Sequence, residues 1–121
     1  MDIRFKRLAL VALTALASAA SAQEWPAKPI RVVVPYTPGG VAEAIFRPMA
    51  PGIEQRLNQR LYIDNKPGAD GTIGTGDVAR AAPDGYSILL APTANYAVTQ
   101  HMYRNLGFDP LTSLDPVGTL C

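Results

Sequence analysis

The sequence predicts an α/β protein built on a parallel sheet, and three observations carry that prediction. Short β-branched runs alternate with segments of helical periodicity. Turn residues punctuate them at Pro67-Gly68 and Pro83-Asp84-Gly85. Glycine-rich stretches sit where strands would hand over to helices. Strands that alternate with helices at this spacing imply β-α-β units, because parallel neighbours need a crossover between them.

The chain opens on Arg4, Lys6 and Arg7, then an apolar run from Leu8 to Leu16, then the small residues Ala20-Ser21-Ala22. A cationic start, a short apolar run and a small-residue cleavage point read as a secretory leader over residues 1–22. The apolar run is about half of the ~20 residues that span a bilayer, so it is too short for a permanent anchor. A buried amino-terminal helix would have to hide three cations in its first turns. Removing the leader takes away three of eleven basic and one of ten acidic residues, leaving eight and nine and a net charge of −1. Such a balance lacks the basic footprint of a nucleic-acid binder. Cys121 is the only cysteine, so an internal disulfide or a paired-cysteine zinc site is excluded.

Ile30 to Val34, broken only by Arg31 and closed by Pro35, reads as a buried strand. From Ala42 the apolar residues Ile45, Phe46, Met49, Ile53 and Leu57 fall on one helical face, with Glu43, Arg47, Glu54, Gln55 and Asn58 mostly elsewhere. Pro48 and Pro51 each cost about 3 kcal/mol inside a helix, which predicts a break, one helix ending near Arg47 and another starting at Pro51. A second strand at Leu61 to Ile63, a helix over Ile73 to Ala81, a third strand over Tyr86 to Ala91 and a short helix over Tyr96 to Arg104 follow. Asp115-Pro116-Val117 reads as a turn entering a further strand that the chain does not complete, an expectation of truncation.

Ligands of parallel sheets gather beyond the carboxyl ends of the strands. Two loops qualify, Pro35-Tyr36-Thr37-Pro38-Gly39-Gly40 and Asn65-Lys66-Pro67-Gly68-Ala69-Asp70-Gly71-Thr72. Their glycines let a ligand approach backbone amides at polarised helix starts, which suits an anionic group.

Three motifs in order, Val34-Pro35-Tyr36-Thr37-Pro38-Gly39-Gly40, Asn65-Lys66-Pro67-Gly68-Ala69 and Ala82-Pro83-Asp84-Gly85-Tyr86, resemble the substrate-binding proteins of tripartite tricarboxylate transporters, the Bug or TctC-like family. Trp25 to Arg31 and Tyr103 to Pro110 are similar to the family's flanking segments. The resemblance implies a periplasmic-binding-protein type II-like, two-lobed Venus flytrap, of which residues 23–121 would be the amino-terminal part of lobe 1. It implies a monomeric, non-enzymatic periplasmic protein that captures a small organic acid and presents it to integral membrane subunits of the transporter, with no cofactor, metal or nucleic acid. It places a proximal site at Tyr36, Gly39 and Gly40 and a distal site at Gly68, Ala69 and Gly71. Thr93, after the third strand, adds a hydroxyl that could donate to a ligand oxygen. Two departures stand out. Glu43 occurs where the family usually has aspartate, and Asp70 where it usually has glycine; facing the cleft, Asp70 would repel a carboxylate or select a cationic group.

The rival readings are a truncated, non-binding fragment and a nucleotide-dependent enzyme. Gly74-Thr75-Gly76-Asp77-Val78-Ala79 fits the alanine-ending dinucleotide fingerprint. It lacks a strand directly before it and an acidic residue about 20 positions on. His101 has no second histidine or paired cysteine, and no G-x-S-x-G elbow is present.

Overall fold

A computed structural model describes residues 24–120 of the protein. The leader read over residues 1–22 lies outside the described residues. Three parallel strands form one sheet in the order β2-β1-β3, with β1 at Ile30–Val34, β2 at Leu61–Asn65 and β3 at Ser87–Leu89. Helix α1 (Val41–Leu57) connects β1 to β2, and α2 (Thr72–Ala79) connects β2 to β3. Two single-turn helices follow, α3 (Ala94–Ala97) and α4 (Thr99–Met102), where the sequence suggested one.

The central position of β1 follows from its composition. Ile30, Val32, Val33 and Val34 are all buried, as expected of a strand paired on both edges and covered on both faces. Arg31 is the exception, and its charge is answered. Its guanidinium donates to Asp77 Oδ2 at 2.8 Å, Asp64 Oδ2 at 3.3 Å and Ser87 Oγ at 3.2 Å, tying β1 to β2, β3 and α2. Lys66 Nζ reaches Asp77 Oδ1 at 3.0 Å. Burial alone would raise the Asp77 carboxyl, but Lys66 and Arg31 outweigh it and hold the group below its ordinary range.

Strand β2 runs two residues beyond the expected Ile63, because Asp64 and Asn65 pair with Val33 and Val34. Polar side chains hid that extension in the sequence; here they are bonded to neighbours.

Helix α1 corrects the expected break, since it continues through Pro48 and Pro51. Those prolines withhold donors from the carbonyls of Ala44 and Arg47, and all four residues are exposed, so water can take the place of the missing bonds. The apolar face is also narrower than its periodicity suggested. Phe46 is buried and Met49 exposed, while Glu43, expected elsewhere, is buried. Asn58 closes the helix in the left-handed conformation that asparagine tolerates.

The strand expected from Val117 is absent among the described residues. Val117 is 87 % exposed with no strand beside it, and a strand needs a paired neighbour to satisfy its backbone. No helix among the described residues is long and apolar enough to cross a membrane.

Candidate functional site

Because all three strands run parallel, their carboxyl ends share one edge of the sheet, and three loops meet there. The first spans Pro35 to Gly40, the second Lys66 to Gly71, and the third Leu90 to Thr93. Backbone bonds continue the ladder into them, Lys66 N–H donating to Val34 O at 2.8 Å and Leu90 N–H to Val33 O at 2.9 Å.

Two asparagines then stitch the loops together. The side-chain amide of Asn65 donates to Tyr36 O at 3.0 Å and to Glu43 Oε1 at 2.7 Å, joining the end of β2 to the first loop and to α1. Asn95, buried at the start of α3, accepts from the Tyr36 hydroxyl at 2.7 Å and donates to Asp70 O at 3.2 Å. Tyr36 therefore belongs to both links, through its carbonyl and its hydroxyl.

The seven residues singled out by sequence fall into three environments. Tyr36 and Gly40 line a cavity of about 340 Å³, together with Val34, Thr37, Val41, Ala42 and Pro92. Gly39, in the same loop, is exposed at φ 83°, and Gly40 caps α1 at φ −72°. Gly68, Ala69 and Gly71 lie in the second loop, away from that cavity's lining. There the four residues Gly68 to Gly71 all have positive φ, at 129°, 45°, 52° and 84°. Ala69 and Asp70 hold this conformation despite their Cβ atoms, a strain of about 1–2 kcal/mol each that the surrounding bonds must support. The Gly71 amide is already engaged by Gly68 O at 3.0 Å. Thr93 is exposed in the third loop, where its carbonyl accepts from Tyr96 and Ala97.

Glu43 sits in the first turn of α1 with its carboxylate turned inward and 1 % exposed. Asn65 and both Nε (3.0 Å) and Nη2 (2.6 Å) of Arg47 hold it. These partners, Asn65 foremost, lower its pKa below the ordinary 4.5. A group lowered on folding stabilises the fold above its unfolded value, and that contribution is lost as pH falls through the folded one. The urea midpoint should thus decline as pH drops below 4.5, and Glu43→Gln should flatten the decline. An unchanged slope in the variant would show that Glu43 is not the titrating group.

Asn65, Asn95 and Pro92 shape this edge without having been singled out. Nothing in spacing or periodicity marks Asn95 as a buried asparagine, since its value comes from partners 25 and 59 residues away.

Comparison with known proteins gives the arrangement its relatives. Residues 45–121 match the family described as tripartite tricarboxylate transporter family receptor. A UPF0065 protein of Bordetella pertussis is 42 % identical over 116 residues, covering 94 % of this chain and 36 % of the relative. Among solved structures, the periplasmic binding protein BugD superposes with a TM-score of 0.66 at 42 % identity, over 78 % of this chain and 31 % of BugD. MatC from Rhodopseudomonas palustris, solved with bound malate, gives 0.71 at 29 % identity, over 77 % of this chain and 32 % of MatC. The α/β architecture with its parallel sheet is thus the periplasmic-binding-protein fold over the stretch compared. The chain spans about a third of the length of the curated relatives it matches.

Proposed function

The chain belongs to the tripartite tricarboxylate transporter receptor family, and from that premise we propose that it serves as the carboxylate-capturing part of a periplasmic receptor. The observation that carries this reading is the cavity of about 340 Å³ that the first and third loops line together with the start of α1, at the sheet edge where the second loop also ends. The amides of Val41 and Ala42 open the 17-residue helix α1 there, and the first amides of a helix have no carbonyl behind them. Partial positive charge at such a helix start favours a ligand oxygen bearing negative charge. The Glu43 carboxylate, in the first turn of the same helix, is held by Asn65 and Arg47.

In this reading residues 1–22 direct export, and residues 23–121 form the amino-terminal part of a lobe. The proximal contacts are Tyr36, Gly39 and Gly40. Gly68, Ala69 and Gly71 form the distal side, reached by a ligand that extends past the cavity, and the Thr93 hydroxyl is a further donor to a ligand oxygen. The loaded receptor presents its acid to membrane subunits of the transporter. Malate bound to MatC supports a carboxylate as the captured group, and membership of a receptor family supports capture without chemistry.

Isothermal titration of the purified chain with a panel of mono- and dicarboxylates tests the proposal. Saturable heat with at least one acid, absent with ATP or NAD, is expected. Silence across the whole panel would overturn it and leave a non-binding fragment as the better description.

A further inference from the structure

The first loop is held from outside itself. Thr37, Pro38 and Gly39 are exposed, and a Cβ at Gly39 would meet nothing within 4 Å. Its fastenings lie at the two ends. At one, Ala44 N–H donates to Gly40 O at 3.1 Å. At the other, the Asn65 amide donates to Tyr36 O at 3.0 Å, and the Tyr36 hydroxyl donates to Asn95 at 2.7 Å. Whatever orients Asn65 therefore orients the strand end of the loop.

An asparagine amide has a donor end and an acceptor end, and either can be turned towards a neighbour. At Asn65 two acceptors select the donor end, Tyr36 O and Glu43 Oε1, and the bond to the carboxylate is the shorter at 2.7 Å. A bond to an ionised acceptor is also the stronger kind. Glu43 thus commits the Asn65 amide to the Tyr36 carbonyl. Its burial points the same way. A glutamate paired with an arginine one turn along a helix needs no burial, and Arg47 itself stays 64 % exposed. The Glu43 side chain is instead turned inward, a costly place for a charge without partners. There Asn65 and Arg47, with the Gly39 amide of the same loop adding to them, hold its pKa below 4.5, so the group is ionised at neutral pH.

Resting on the receptor reading above, we infer that Glu43 is a positioning residue for ligand capture: its carboxylate, acting through the Asn65 amide, holds the Tyr36 to Gly40 loop in the form that receives the acid.

Backbone amide NMR relaxation of the purified chain at neutral pH reads the loop directly, and it reads the folded molecules alone, so a loss of overall stability does not mimic the effect. In the parent, the order parameters of Thr37, Gly39 and Gly40 should approach the value of about 0.85 typical of rigid backbone. Glu43→Met keeps the length of the side chain and removes both acceptor oxygens. It should drop those three residues below about 0.6 while Val32 and Val33 of β1 stay at the parent value. Glu43→Gln, left with one acceptor oxygen for three donors, should fall between the two, and it carries the test if the apolar variant does not fold. Calorimetric titration with malate, succinate and benzoate reads the consequence. Affinity for the acid that binds the parent should fall about 10-fold in Glu43→Met, because the ligand must then order a loop that the free receptor already held. Unchanged loop order in the folded variants, or a parent loop already below about 0.6, overturns the inference and leaves carboxylate capture standing. Parent or higher affinity in a variant whose loop has loosened overturns it too. If no carboxylate binds the parent, the receptor reading fails, and the order parameters still decide whether Glu43 holds the loop.

Discussion

Gly74→Ala is expected to destabilise the protein by about 3 kcal/mol, the upper end of the range for overpacking a well-filled interior. A Cβ at this position would lie 2.8 Å from Lys66 O, 2.8 Å from Pro35 Cβ and 2.9 Å from Pro35 Cα. Two of those three atoms are backbone, so no side-chain rotation relieves the contact. Helix α2 would have to lift from the sheet, and Gly74, Thr75 and Gly76 are all buried. Lifting α2 also pulls Asp77 away from Arg31 and Lys66. Gly52 supplies the control, because it too lies inside a helix but a Cβ there meets nothing within 4 Å. Gly52→Ala should leave stability unchanged or raise it by about 0.5–1 kcal/mol, since alanine loses less backbone freedom on folding. Urea unfolding followed by far-ultraviolet circular dichroism measures both. A Gly74→Ala cost below about 1 kcal/mol would mean that the helix approaches the sheet less closely than described.

The difference between those two glycines marks the boundary of what could be read from the sequence. Element type was legible, because periodicity and β-branching are local signals: β1 begins and ends where Ile30 to Val34 predicts, and α2 starts one residue before Ile73. The family was legible too, through motifs at the two glycine loops. What stayed hidden depends on distant partners. Pro48 and Pro51 argue for a break only if their neighbours' carbonyls lack water, and the orientation of α1 toward solvent is not a local property. Glu43 looked like a surface residue by periodicity, and became buried because Asn65, 22 residues on, meets its carboxylate. The glycine pair Gly74 and Gly76 looked like half of a nucleotide fingerprint, whereas in the fold they admit Pro35 and Phe108 at close range. Loop amides carried the functional expectation, yet the fixing of the loops falls to Tyr36, Asn65 and Asn95, whose side chains signal nothing until the strands are laid side by side.

Gly71→Ala tests whether that fixing is as local as the geometry indicates. Gly71 is buried at φ 84°, a conformation costing alanine about 1–2 kcal/mol more than glycine. Its added Cβ would also strike Nδ2 of Asn95, closer than any real contact permits, while Pro35 Cβ at 3.4 Å could stay. Asn95 would have to swing away, breaking its bonds to Tyr36 and Asp70 and leaving its own buried amide unpaired, at about 1–3 kcal/mol. The combined loss should approach about 3–4 kcal/mol, with acid binding weakened in parallel as the first and second loops part. A double-mutant cycle separates the two contributions. With Asn95→Ala in the background, the clash is gone, and Gly71→Ala should cost only the backbone strain of about 1–2 kcal/mol. Equal costs in both backgrounds would assign the whole effect to the backbone and remove Asn95 as the clasp between the loops.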